Sequence, residues 1–132
     1  MDILRRNTDY ALRIMVALAM RSEEGPQSTK AVSSNMDIPY HLACKLMQRL
    51  HKASLIESSM GSQGGFKLSK APSMINMLEV IEIVQGPVSL NRCLVDVSAC
   101  TRQRDCPVNK KLAGLQEYLA TFLREITLDQ LL

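Results

Sequence analysis

Apolar residues recur at helical spacing in five segments of the chain. From about Asp9 to Arg21, residues Ala11, Leu12, Met15, Val16, Leu18 and Ala19 make a broad apolar stripe. Thr8 is a suitable N-cap, and Gly25-Pro26 ends the pattern. Ser28 and Thr29 open a short helix with Ala31, Val32 and Met36 facing inward, which stops before Ile38-Pro39. Pro39 suits the first turn of a third helix, where its missing N–H costs nothing, and that helix buries Leu42, Leu46 and Leu50 before ending near Ser54.

The pattern then changes. Leu55–Ser58 and Phe66–Leu68 are short strand candidates joined by Met60-Gly61-Ser62-Gln63-Gly64-Gly65. These glycines permit a tight turn and close backbone approach. The stretch lacks a GKS/T ending and leads into a strand, so it predicts a hairpin and not a phosphate-cradling loop. After Ala71-Pro72, Ser73 caps a fourth helix carrying Leu78, Ile81 and Val84, stopped by Gly86-Pro87. Val88 to Cys106 shows little periodicity. Pro107 then opens a last helix with Leu112, Leu115, Leu119, Phe122, Leu123 and Ile126 on one stripe. This stripe exceeds what so small a core can cover, which predicts packing against a second copy. The fold class is mainly α with a small β-hairpin wing: a winged helix-turn-helix over residues 1–72, then dimerisation helices and a cysteine loop over 73–132, in one compact domain.

With 132 residues, 46% of them apolar and 22% charged, the composition is that of an ordinary globular domain with no need of staples. No apolar run reaches membrane-spanning length and no cleavable leader is recognisable, so the expected location is cytoplasmic, away from membranes. The net charge of +3 is unevenly distributed. Residues 1–70 carry ten Lys/Arg against six Asp/Glu, and residues 71–132 carry six against seven. On the third helix His41, Lys45, Gln48 and Lys52 fall at i, i+4, i+7 and i+11, flanked by Tyr40 and Arg49. Such a stripe is either a solvated face or, in a helix-turn-helix, the set of side chains that enters the DNA major groove; a following wing favours the second. The candidate DNA contacts are Ser28, Thr29, Tyr40, His41, Lys45, Gln48, Arg49, Lys52, Gly64, Gly65 and Lys67.

Cys93, Cys100 and Cys106 lie within fourteen residues, a clustering that suggests metal or redox chemistry and not disulfides. Thiolates favour iron–sulfur groups or zinc. A structural zinc site wants four ligands in tighter cysteine pairs, and the two histidines, His41 and His51, sit in or beside the third helix. The alternatives are a reversible disulfide switch and inert surface thiols. Cys44 reads as a structural thiol and the eight methionines as core filler. No nucleophile–base–orienter set is present, so an enzyme is not expected.

Four separated motifs occur in order: T-D-Y-A-L-R (Thr8 to Arg13), G-S-Q-G-G-F-K-L (Gly61 to Leu68), C-x6-C-x5-C (Cys93, Cys100, Cys106) and I-T-L-D-Q-L-L (Ile126 to Leu132). Together they resemble the Rrf-two (Rrf2) family of winged-helix transcription regulators, which includes IscR-like and NsrR-like iron–sulfur sensors. The resemblance implies a homodimer built on the last helix, reading a palindromic operator on double-stranded DNA. It also implies an iron–sulfur cluster, 2Fe-2S or 4Fe-4S, on Cys93, Cys100 and Cys106 with a fourth, non-cysteine ligand. In the IscR branch that ligand is a histidine three positions after the last cysteine, where this chain has Asn109, and the first cysteine gap here is one residue longer. In the NsrR branch it is an aspartate from the partner subunit, which Asp9 matches. Asp9 alone also reads as a carboxylate complementing a helix N-terminus. The implied function is a DNA-binding repressor responsive to nitric oxide, redox state or cluster supply, with a cofactor-free or thiol-switch repressor as the alternative.

Overall fold

A computed structural model describes residues 2–132. In order it contains α1 (Arg6–Met20), α2 (Thr29–Asn35), α3 (Tyr40–Lys52), β1 (Ile56–Ser59), β2 (Gly65–Leu68), α4 (Met77–Gln85) and α5 (Pro107–Glu125), with short 3-10 turns between and after them. The fold class is as the hydrophobic pattern predicts. Helix α1 is the central post: Ala11, Ile14, Met15 and Leu18 are buried against α3 and α4. Ala43, Leu46, Met47 and Leu50 of α3 complete that core with Leu55 and Ile56, and Ile75, Leu78, Val80, Ile81, Leu123 and Leu128 join the same cluster from the second half.

The hairpin pairs β1 with β2 antiparallel, Ile56 opposite Leu68 and Ser59 opposite Gly65. A third segment pins it: Gln27 and Phe66 exchange backbone hydrogen bonds, both 2.8 Å. This closeness explains the glycines at the tip. A Cβ on Gly65 would collide with the Gln27 carbonyl, and one on Gly64 with the Ser59 carbonyl. Both glycines therefore have a role inside the wing.

Local caps depart from the expected ones. Thr8 is not an N-cap; α1 starts at Arg6, and Thr8 is fully buried in the first turn. Its hydroxyl donates 2.7 Å to Gln85 Oε1, which also accepts the Arg5 N–H, while Gln85 Nε2 donates to the Ile3 carbonyl. The end of α4 thus supplies the cap that the start of α1 lacks. Pro39 is the N-cap of α3, one position before the expected first turn. Ser73 falls in a 3-10 turn, and Asn76 caps α4 by accepting the Glu79 N–H. What decides between them is the tail of the chain: Met77 donates to the Ile126 carbonyl and Leu128 to the Ile75 carbonyl, so α4 begins where this pairing ends.

Helix α5 packs on α4 and the loop before it, burying Leu123 and half-burying Leu112 and Leu119. Val108, Leu115 and Phe122, spaced by seven, stay exposed together with Tyr118.

Candidate DNA-reading face and cysteine loop

Helix α3 is amphipathic, and its buried residues point His41, Lys45, Gln48 and Lys52 outward. All four side chains are exposed, so the stripe anticipated from spacing is a continuous surface. Tyr40, at its start, is also exposed. A hydrogen bond with Cys44, repulsion from the same side chain and some desolvation raise the Tyr40 phenol above its ordinary pKa of 10, so it remains a neutral donor and acceptor. The turn into α3 puts Asp37 at φ 53°, and the exit puts Ser54 at φ 64°, both left-handed. There the Ser54 N–H reaches the His51 carbonyl and the Leu55 N–H the Leu50 carbonyl, turning the chain sharply into the wing.

The wing stands beside the same face. Lys67 is exposed on β2, 4.0 Å from Glu57 across the hairpin. The His51 Nδ1–H donates 3.1 Å to the Ile56 carbonyl and the ring meets Phe66 edge-on at 6.0 Å, which couples the end of α3 to the hairpin. Gln48, Arg49, Lys52, Ser58 and Phe66 line the concavity between the two. Ser28 and Thr29 occupy the start of α2, where Ser28 caps the helix by accepting the Ala31 N–H at 3.1 Å.

Arg49 has a second attachment that its place on the stripe does not suggest. Its Nη1 donates 2.8 Å to the Val84 carbonyl at the end of α4. The guanidinium therefore ties α3 to the helix that leads into the cysteine loop. A carbonyl acceptor 35 residues away carries no local sequence signal.

The cysteine loop is built differently. Gly86 ends α4 at φ 82°, and the chain then runs to α5 through two short 3-10 turns. Cys93 and Cys106 are half-buried at its two ends, and Cys100 is exposed between them. Cys106 is the N-cap of α5, its sulfur accepting the Asn109 N–H at 3.4 Å. The Asn109 side chain reaches back to Cys93, donating to the sulfur at 3.2 Å and to the carbonyl at 3.3 Å. Gln103 donates to that same carbonyl at 2.5 Å. Asn109 thus touches two of the three thiols, and it lines an open concavity with Cys100, Val97, Ser98 and Arg104. The spacing C-x-x-N at a helix start was the available signal, since an N3 side chain naturally returns over the N-cap.

Asp9 lies on α1 with its carboxylate 2.7 Å from Arg13, both half-exposed. Among the described residues no three Cys, His, Asp or Glu side chains come together. One chain therefore does not by itself gather Cys93, Cys100, Cys106 and Asp9. The donor chemistry fits a thiophilic group: three soft sulfurs on one loop, two of them organised by Asn109. No helix among the described residues is long and apolar enough to cross a membrane.

Comparison with known proteins agrees with this architecture. Residues 4–132 match the family model Rrf2, described as an iron-dependent transcriptional regulator. The chain is 33% identical over 129 residues to the HTH-type transcriptional regulator NsrR of Halalkalibacterium halodurans, covering 95% of this chain and 86% of that protein. It is 34% identical over 122 residues to IscR of Klebsiella pneumoniae, covering 92% and 74%. The solved structure of CymR, the global cysteine regulator of B. subtilis, superposes with a TM-score of 0.84 at 27% identity over 99% of this chain and 96% of that one.

Proposed function

The chain belongs to the Rrf2 family of DNA-binding transcriptional regulators and is not an enzyme, and from that premise we propose that it is a homodimeric repressor whose promoter affinity is set by an iron–sulfur cluster held by Cys93, Cys100 and Cys106. The observation that carries the reading is the joint arrangement of three parts: an outward polar stripe on α3 beside a pinned wing, a thiol loop, and an unpaired apolar ridge on the helix that the loop enters.

On the DNA side, Tyr40, His41, Lys45, Gln48 and Lys52 meet base edges and phosphates, with Arg49 sharing its donors between DNA and Val84. Lys67 and the tip of the wing lie along the backbone, while Ser28 and Thr29 present the start of α2 to a phosphate. Val108, Leu115, Tyr118 and Phe122 pack against the same ridge of a second copy, which sets two α3 helices against the half-sites of a palindromic operator about 34–36 Å apart. On the sensing side, a bound cluster supplies a centre reactive towards nitric oxide and oxidants. The chain provides the ligands and the response. Cys93 and Cys106 are held at the loop ends, and drawing in Cys100 orders residues 88–106 between α4 and α5. Asp9 from the partner is the candidate fourth ligand, which requires it to leave Arg13. The signal is nitric oxide, redox state or cluster supply.

Iron, acid-labile sulfide and zinc per chain, measured on protein purified without oxygen, test the reading. Equal iron and sulfide, with visible absorbance lost in each of Cys93→Ser, Cys100→Ser and Cys106→Ser, is the expected result. Zinc alone, or no metal, rejects the cluster while leaving DNA binding intact. The likeness to CymR and an amide in place of a histidine ligand favour a second reading in that event, a thiol-switch or cofactor-free repressor.

A further inference from the structure

We propose that Asn109 is the positioning residue of the cysteine loop: without being a ligand, it holds the Cys93 and Cys106 sulfurs in one register through N–H···S hydrogen bonds. The inference rests on reading the loop as a ligand site, and it concerns how that site is shaped before anything binds.

The orientation of the amide is fixed by its partners. The Cys93 carbonyl only accepts, so the Asn109 amide must turn its nitrogen, not its oxygen, towards it. The same nitrogen lies 3.2 Å from the Cys93 sulfur. The amide oxygen is therefore directed away from that thiol, and it is a hard donor beside soft ones. Cys106 is keyed to the same residue through the backbone, because its sulfur accepts the Asn109 N–H as the N-cap of a helix of 19 residues. One residue on a rigid helical turn thus sets both ends of the loop. Gln103 fixes the Cys93 backbone from inside the loop, while the hydrogen bond on the Cys93 sulfur itself comes from Asn109. Cys100, exposed and outside this network, is the thiol left to move.

The test uses the full chain with Cys44→Ser and Cys100→Ser, which leaves Cys93 and Cys106 as the two thiols. Without metal, the rate at which dibromobimane cross-links them reads their proximity. Asn109→Asp keeps the shape of the side chain, removes its N–H donors and favours the helix start, so loss of α5 would not explain a change. Asn109→Leu removes the donors without adding charge. Both variants should cross-link about fivefold more slowly, the factor of one net hydrogen bond, with unchanged helical circular dichroism. Equal rates in the parent and both variants overturn the proposal, and slowing in Asn109→Asp alone overturns it in favour of charge repulsion. In the loaded protein with all its cysteines, Asn109→Leu should move the reduction potential negative, because N–H···S bonds favour the electron-rich state; an unmoved potential also overturns it. A wild-type chain that takes up no iron and sulfide would reject the cluster reading and leave the cross-linking comparison to decide the role of Asn109.

Discussion

The winged unit and the cysteine loop are held together by different kinds of interaction. Between Arg6 and Leu68 the core is mostly apolar and buried, with Thr8 as a buried polar side chain bonded to Gln85, and β2 is tied backbone to backbone on both sides, to β1 and to Gln27. Between Val88 and Cys106 only Val88 is buried, while Val95 and Val97 are exposed at 57% and 84%. There the chain is organised by polar side chains: Gln116 accepts the Leu90 N–H, Gln103 and Asn109 fix Cys93, and Asp96 gathers Ser98. The contrast teaches a division of labour. A DNA-reading surface must keep its shape, so it rests on hydrophobic burial. The loop rests on a few replaceable hydrogen bonds, as the proposed ordering by a ligand requires of a segment that is marginal by itself.

The strongest way to break the comparison is to delete apolar volume from each region. Met47→Ala, at a fully buried site, should lose about 2–5 kcal/mol in urea unfolding, whereas Val97→Ala should stay within about 0.5 kcal/mol. Equal losses would show that the loop shares the core. Gly65→Ala comes next. It should cost about 2–3 kcal/mol and weaken operator binding in an anisotropy titration, with the loop thiols labelled at the parent rate. Gln85→Leu strands the buried Thr8 hydroxyl and should cost about 1–3 kcal/mol, much of it recovered in the double variant with Thr8→Val.

Smaller changes sharpen the contrast. Lys45→Ala should leave stability within about 0.5 kcal/mol and lower the salt slope of DNA binding by ~0.9, whereas a change at exposed Arg104 in the loop should leave the slope alone. The smallest effect is at Asp96. Hydrogen bonds from the Ser98 hydroxyl, then from its N–H, hold the Asp96 carboxyl below the ordinary range. With the folded pKa depressed, this tie is fully present above the ordinary carboxylate value and is lost as pH falls through the depressed one. An NMR titration should show that Ser98→Ala moves Asp96 back up.

The same division explains what could be read from the residues alone. The stripes of α1, α3 and α5, the glycine-tipped wing and Pro107 at a helix start were legible because each is a local pattern with its own physical cause. The α3 polar stripe followed directly from the spacing of its buried partners. Thr8 reads as a cap because its hydroxyl suits that role, but its acceptor is 77 residues away. Ser73 and Asn76 are both good caps, and a tail pairing with Ile75 chose between them. Arg49 was legible as a cation on the reading face and illegible as the anchor of Val84. Asn109 reads first as a histidine missing from its place; C-x-x-N at a helix start signals its tie to Cys106, whereas its contact with Cys93, 16 residues away, has no local pattern.

The last turn of α4 has a thermodynamic consequence. Val84 accepts the anchor from the reading helix, Gln85 caps α1, and the next residue begins the path to the thiols. Any free energy exchanged between loop and operator through this joint is reciprocal. By whatever factor loading of the thiol loop changes affinity for DNA, binding of DNA must change affinity of the loop for what it holds. A regulator parked on its promoter would therefore respond to its signal at a different threshold from one free in solution, and the promoter itself would take part in setting the dose.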